Sequence, residues 1–251
     1  MTDANRTETQ EQRIPTLYLL PSTLADVPPA SVMPQRNIEI ARTVRHFIVE
    51  NVRTARRFLK RCDPTIDIDA LTFATLDEHT PASEIPAMLT PMERGADMAV
   101  ISEAGCPAVA DPGAEAVAVA QRRGYRVDPL VGPSSILLAL MASGFNGQTF
   151  AFAGYLPVDP QWRTATLREM QRRIIREHQT QIFIETPYRN SKLIASLCQT
   201  LPREMMLCVA ADITGPSQRI ITRPLSWWAT NSLELPRIPT IFLLYTDAPA
   251  R

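Results

Sequence analysis

Residues 99–113 read AVISEAGCPAVADPG, and the fold is decided by how this stretch is parsed. Ala99, Val100 and Ile101 close a short apolar run of the kind that forms a buried strand. Residues 102–107 make a small-residue turn, and Ala110-Asp111-Pro112-Gly113 make a second. Residues 114–121, AEAVAVAQ, then take up a helical pattern. A strand that empties into a small-residue loop and then a helix is the ligand-binding end of an open α/β sheet. The crevice lies beyond the carboxyl end of the strand, where small side chains let the backbone approach a ligand.

Outward from this stretch, strand and helix alternate. Strands are expected over 16–20, 46–49, 71–76, 97–101 and 125–130, with helices over 37–45, 53–61, 82–94 and 136–142. The Pro-rich segment 21–34 carries Pro21, Pro28, Pro29 and Pro34, so it is neither a central strand nor a regular helix. It reads either as a rigid linker or as a stiff loop beside the crevice, and its place after a central strand favours the loop. Ser143-Gly144-Phe145-Asn146-Gly147 breaks the alternation and marks an expected domain boundary. Beyond it, strands are expected over 150–156, 180–185, 205–210, 219–222 and 240–245, and helices over 160–177 and 190–200. The organisation predicted is a disordered tail over 1–14 and two α/β domains, 15–147 and 148–251, with largely parallel or mixed sheets.

The chain has 251 residues, 45% of them apolar and 21% charged, which suits a packed globular core. Lys plus Arg and Asp plus Glu both number 26, and a net charge of zero weighs against strong non-specific nucleic-acid binding while leaving room for a local basic patch. The four scattered cysteines show no CxxC spacing and read as reduced thiols of a cytosolic protein. Three histidines give a zinc site no ligand spacing, so no metal is expected. The longest apolar run, 136–142, falls far short of the ~20 residues of a membrane span. The polar start, MTDANRTETQEQR, reads as neither signal peptide nor anchor. No GxGxxG, GxxxxGK[ST], GxSxG or HExxH motif is present. A cofactor site, if present, uses another loop design. Small-residue loops recur at the strand ends: PSTL, EAGCPAVADPG, GPSS, TPYR and DITGPS. Converging, they would make a pocket suited to a folded, adenosine-bearing cofactor. Ser134 and Ser135 sit where a helix begins, so capping and ligand contact are both open to them.

Four segments in order, ISEAGCPAVADPG, VGPSS, FAGYLP and IFIETPYRN, resemble the tetrapyrrole methylase superfamily, also called class III methyltransferases. The likeness is strongest to the branch of small-subunit ribosomal RNA cytidine 2′-O-methyltransferases, which reads roughly ISDAGTPxISDPG, PGPxA, FxGFLP and FESPxR at these places. It covers about residues 15–246. The resemblance implies two α/β domains with S-adenosylmethionine folded into the cleft between them, and commonly a homodimer. Carried over by motif, cofactor contacts come from Pro21, Ser22, Ala104, Gly105, Cys106, Val109, Ser134, Ser135, Thr186, Ile213 and Pro239.

A methyl on a sulfonium is a strong electrophile, so its transfer needs an in-line nucleophile and a water-poor site more than acid catalysis. A hydroxyl acceptor also needs a base within hydrogen-bond reach. Glu50, Glu103, Asp111, His79 and Glu185 are the candidates, with Glu103, Glu50 and Asp111 foremost. Read alone, each carboxylate is a solvated loop charge or a helix cap. Glu50 and Arg53 match an AEDTR pattern of the branch, which stands here as VENVR, so the branch's Asp is Asn51. Glu103 replaces its Asp, Asp77-Glu78-His79 stands for its His-Glu-His, and Gly215 stands where it usually shows Lys. Arg53, Arg56, His79 and Arg189 are the expected acceptor-side residues, and two Arg-rich helices read either as RNA-phosphate contacts or as solvated faces.

The sequence therefore predicts an S-adenosylmethionine-dependent methyltransferase acting on a ribosomal RNA ribose 2′-hydroxyl. A tetrapyrrole precursor or another small molecule is the first alternative acceptor. Zero net charge favours it, as does the lack of the small helical extension that the branch often carries after this point. A non-catalytic binding protein that keeps the cofactor cleft is the second alternative, favoured by the altered acidic positions.

Overall fold

The computed structural model describes residues 13–231, 235 and 238–246, so all but the end of the expected tail 1–14 lies outside the described residues. The chain divides into two compact units. One holds the chain up to Ser22 and Met33–Gly132; the other holds Thr23–Val32 and everything from Pro133.

In the first unit the elements are β1 (Thr16–Leu20), α1 (Gln35–Thr43), β2 (His46–Val49), α2 (Val52–Cys62), β3 (Thr72–Thr75), α3 (Ile85–Met88), α4 (Thr90–Glu93), β4 (Met98–Ile101), α5 (Gly113–Arg122) and β5 (Arg126–Pro129). The five strands are parallel, in the order β3-β2-β4-β1-β5. Every residue of β4 is buried, as a strand covered on both faces requires. Leu17, Ile48, Met98 and Val100 form the core with Ala116, Val119 and Ala120 of α5. The helix expected over 82–94 is two short helices instead. Pro86 and Pro91 supply no amide hydrogen to a continuous ladder, and each stands in the first turn of one piece.

The second unit holds α6 (Ser135–Ser143), β6 (Phe150–Tyr155), α7 (Pro160–Glu177), β7 (Thr180–Ile184), α8 (Asn190–Thr200), β8 (Met206–Ala211), β9 (Arg219–Pro224), α9 (Leu225–Trp228) and β10 (Thr240–Tyr245). Its sheet runs β6-β7-β10-β8-β9, with β6 and β7 parallel and the other pairs antiparallel. Central β10 is buried along its whole length, and Phe242 stacks on Phe183 at 5.8 Å.

The division falls at Gly132 and Pro133, not at the expected 147. Its cause is α6, SILLALMAS, a helix with no polar face to leave in water. Ala139 and Leu140 pack with Cys208, Ala210 and Leu243 of the second sheet, and Leu24, from the Pro-rich segment, joins the same cluster. The segment 21–34 thus parts in the middle: Pro21 and Ser22 belong to the first unit and residues 23–32 to the second.

Candidate active site

The order of the first sheet creates a crevice at one place. The connection after β1 leads past β4 to β2, while that after β4 leads past β1 to β5. Two neighbouring strands whose connections leave in opposite directions open a gap beyond their carboxyl ends. Both loops there are made of small residues. They are laced together: the Ser22 amide donates to the Gly105 carbonyl at 2.9 Å, and the Ser102 hydroxyl donates to the same oxygen at 3.0 Å. Gly105 has φ +75°, a conformation glycine adopts without strain. Pro21 lies flat against Gly132, where a Cβ would stand 2.3 Å from the Pro21 ring. Cys106 Sγ lies 4.0 Å from the Gly132 carbonyl, and burial pushes its thiol up.

Ser22 is 4% exposed, and its Oγ is buried with no hydrogen-bond partner among the described residues. A buried hydroxyl left unpaired costs on the order of 1–3 kcal/mol. It is tolerated where a ligand supplies the missing bond.

Three carboxylates stand at the same edge. Glu50 follows β2, Glu103 follows β4, and Asp111 closes the loop before α5. Asp111 Oδ1 accepts from the amides of Gly113 (2.7 Å) and Ala108 (3.2 Å), while Oδ2 is buried with no donor among the described residues. Glu50 is pushed up to about 7, first by burial and then by the hydrogen bond and charge of Asp111, against a main-chain hydrogen bond from Glu103. Glu103 is exposed and accepts from Thr54 Oγ1 at 2.5 Å. Thr54 sits in the first turn of α2, whose N-cap Asn51 accepts from the amides of Arg53 and Thr54. Asn51 keeps the capping role that a short acidic side chain would play, without the charge.

In the second unit, Ser134 caps α6 by accepting from the Leu137 amide, and Ser135 is the first helical residue. Thr186 follows β7, and Glu185, only 6% exposed, accepts from its amide at 2.7 Å. Arg189 closes on the same carboxylate, with Nη2 2.5 Å and Nε 2.9 Å from Oε1. Ile213 packs into the core, leaving its main chain as the group a ligand can meet. The Pro239 carbonyl accepts from the Asp212 amide at 3.1 Å, which brings the 212–215 loop and the start of β10 together.

The family model for tetrapyrrole (corrin/porphyrin) methylases matches residues 31–227. The chain belongs to the tetrapyrrole methylase family. Relatives named ribosomal RNA small subunit methyltransferase I include that of Vibrio cholerae, 28% identical over 84% of this chain and 69% of the relative. That of Mesorhizobium japonicum is 30% identical over 83% and 67%. The chain thus spans about two thirds of their length. Among solved structures, the methyltransferase CobJ superposes with a TM-score of 0.60 at 17% identity, over 94% of this chain and 95% of that one. Uroporphyrin-III C-methyltransferase of Thermus thermophilus, complexed with S-adenyl homocysteine, gives 0.56 at 15%, over 92% and 97%. These likenesses establish the fold. Family membership also makes the chain a methyltransferase by kinship.

Within this tetrapyrrole methylase, the structure separates the expected site residues into groups. Pro21, Ser22, Gly105 and Cys106 come together; Ala104 and Val109 lie exposed in the same loop, Val109 at 51%. Glu50, Asp111 and Glu103 stand at the carboxyl edge of one sheet, where Asp111 and Glu103 both bear on the acidity of Glu50. Arg53 is exposed in the first turn of α2, but Arg56 turns to Asp69 at 2.7 Å, and His79 is exposed beside Glu78. Gly215 also gains a physical reason. A Cβ there would stand 2.1–2.3 Å from the Asp212 carboxylate, which accepts from the Ser217 amide, so a lysine would require Asp212 to turn away. Asp212 (φ 51°) and Thr214 (φ 68°) both adopt left-handed backbone without being glycine. Sequence reasoning missed Thr54, Ser102 and Asp212. Only the Gly-Pro after Thr214 hinted at the last of them.

Proposed function

We propose that this chain is an S-adenosylmethionine-dependent methyltransferase of ribosomal RNA that methylates a ribose 2′-hydroxyl in the cytoplasm. What supports the acceptor most is the series of relatives named for the small ribosomal subunit, each matched over more than four fifths of this chain. The cofactor fits the residues present: the buried Ser22 hydroxyl has no hydrogen-bond partner among the described residues, and Ala104 beside it is small and exposed. Pro21, Ser22, Ala104, Gly105, Cys106 and Val109 of the first unit would hold it. When bound, it supplies a methyl group on a sulfonium, ready for an in-line nucleophile.

The chain's own residues supply position and a proton acceptor. Glu50, with an affinity for protons matched to neutral pH, takes the proton of the acceptor hydroxyl. Burial first, and then Asp111, hold Glu50 at that affinity. Arg53 is the acceptor-side cation of this reading. Arg56, Arg189 and His79 serve it less, being turned to Asp69, bound to Glu185 and beside Glu78 respectively. The homodimer that the resemblance implies is supported by Leu137 and Met141, 50% and 78% exposed one turn apart on α6.

Calorimetry with S-adenosylmethionine and methyl transfer to small subunits lacking the modification test this together. Binding is expected, and Ser22→Ala is expected to weaken it several-fold while leaving the unliganded chain as stable or more so. No binding at millimolar cofactor overturns the reading. Label transferred only to a tetrapyrrole or another small molecule overturns the acceptor and keeps the cofactor.

A further inference from the structure

Three large aromatic side chains of the second unit stand in water at one edge of its sheet: Tyr155 at 62% exposure, Trp162 at 72% and Tyr188 at 73%. β6 and β7 are parallel, so their carboxyl ends share that edge. Tyr155 ends β6, Trp162 lies in the first turn of the helix that follows it, and Tyr188 lies in the turn after β7. The register slips between Phe152 and Tyr155, at Gly154 (φ +67°), so that Tyr155 pairs with Ile184. A bulge of this kind re-aims the strand end.

Each ring sits on a fastened turn. Arg163 donates from Nε to the Pro157 carbonyl at 3.0 Å and from Nη2 to the Val158 carbonyl at 2.5 Å, closing the loop between β6 and α7. Asp159 caps α7 by accepting from the Gln161 and Trp162 amides. Arg189, bound to buried Glu185, fixes the turn that carries Tyr188. Rings presented on rigid turns lose little entropy when a flat partner stacks on them. That is how proteins hold unpaired bases. The local cations are mostly spent on this bracing. Arg163 is turned to carbonyls and Arg189 to Glu185, leaving exposed Lys192, in the first turn of α8, to face a phosphate.

We infer that Tyr155, Trp162 and Tyr188 are a stacking platform for unpaired bases of the RNA that carries the methyl acceptor. The inference rests on the RNA reading above and adds where single-stranded RNA is gripped. Stacking supplies most of the affinity here and phosphate contacts little, so the salt dependence is shallow for an RNA-binding protein.

Fluorescence titration of the full chain with a short pyrimidine-rich oligoribonucleotide tests it. Trp162 is the one strongly exposed tryptophan of three: Trp228 is buried at 4% and Trp227 packs edge-on against it at 5.0 Å. Quenching is expected, absent with an abasic ribose-phosphate strand of the same length. Read by the fluorescence anisotropy of an end-labelled oligoribonucleotide, Trp162→Ala and Tyr188→Ala are each expected to weaken binding about ten-fold, with Trp162→Phe and Tyr188→Phe close to the parent chain. Equal binding of the abasic strand, or unchanged affinity in both alanine variants, overturns the platform. So does a chain whose dimerisation, and not RNA binding, is lost in Trp162→Ala by sedimentation, since that assigns the rings to a second copy. Methyl transfer to small subunits by the parent chain is scored separately. Its persistence with an unchanged KM in Trp162→Ala sinks the platform alone, and its absence with intact base-dependent quenching sinks the methyl-transfer reading alone.

Discussion

Glu50 is the residue whose proton matters most. In the folded chain it releases that proton near pH 7, against an ordinary value of 4.5, because burial and Asp111 disfavour its charge. A carboxyl raised in this way contributes stability that is present in full below pH 4.5 and is lost as pH rises through about 7. Glu50→Gln is therefore expected to melt with the parent chain at pH 4 and above it at pH 8. Methyl transfer should move the opposite way. The parent rate rises with pH through about 7 as Glu50 ionises, and the variant loses roughly two to four orders of magnitude together with that limb. A rate profile in Glu50→Gln that still rises through the same range would remove Glu50 as the base. The candidacy of Glu50 was legible in the sequence. Its coupling to Asp111 was not, since 61 positions separate two residues that only the sheet brings together.

At the scale of elements, strands were read best where apolar runs are short and sharply ended. Residues 16–20, 46–49 and 240–245 fold as the pattern requires. The pattern failed where a local rule competed with it, as with Pro86 and Pro91 inside the expected helix, or where a helix is barely one turn long, as in α9. The central strand of the second sheet anchors its unit. Phe242 is fully buried and stacked on Phe183 between β7 and β8. Phe242→Ala is expected to destabilise that unit by about 3–5 kcal/mol, seen as a lower denaturant midpoint. A loss below ~1 kcal/mol would mean the site collapses around the gap.

At the scale of the whole molecule, the two-unit α/β fold was legible from alternation, but the boundary was not. A glycine-rich break at 143–147 is a local signal. The placement of α6 and residues 23–32 depends on partners far along the chain, Leu24 among them. A protein cut at an engineered site between Gly132 and Pro133 is expected to elute as one species in gel filtration, because residues 23–32 of the first fragment belong to the second unit and Leu24 packs against its core. Separation into two peaks without denaturant would show that this segment holds nothing.

That passage of residues 23–32 into the second unit also bears on how such a gene can change. The chain crosses between the units three times, at 22/23, 32/33 and 132/133. A single crossover in a recombining gene cannot exchange one unit whole. It would leave the second without the segment carrying Leu24, or the first interrupted by a foreign loop. A chimaera made in the laboratory that swaps the second unit whole must exchange two stretches of sequence at once.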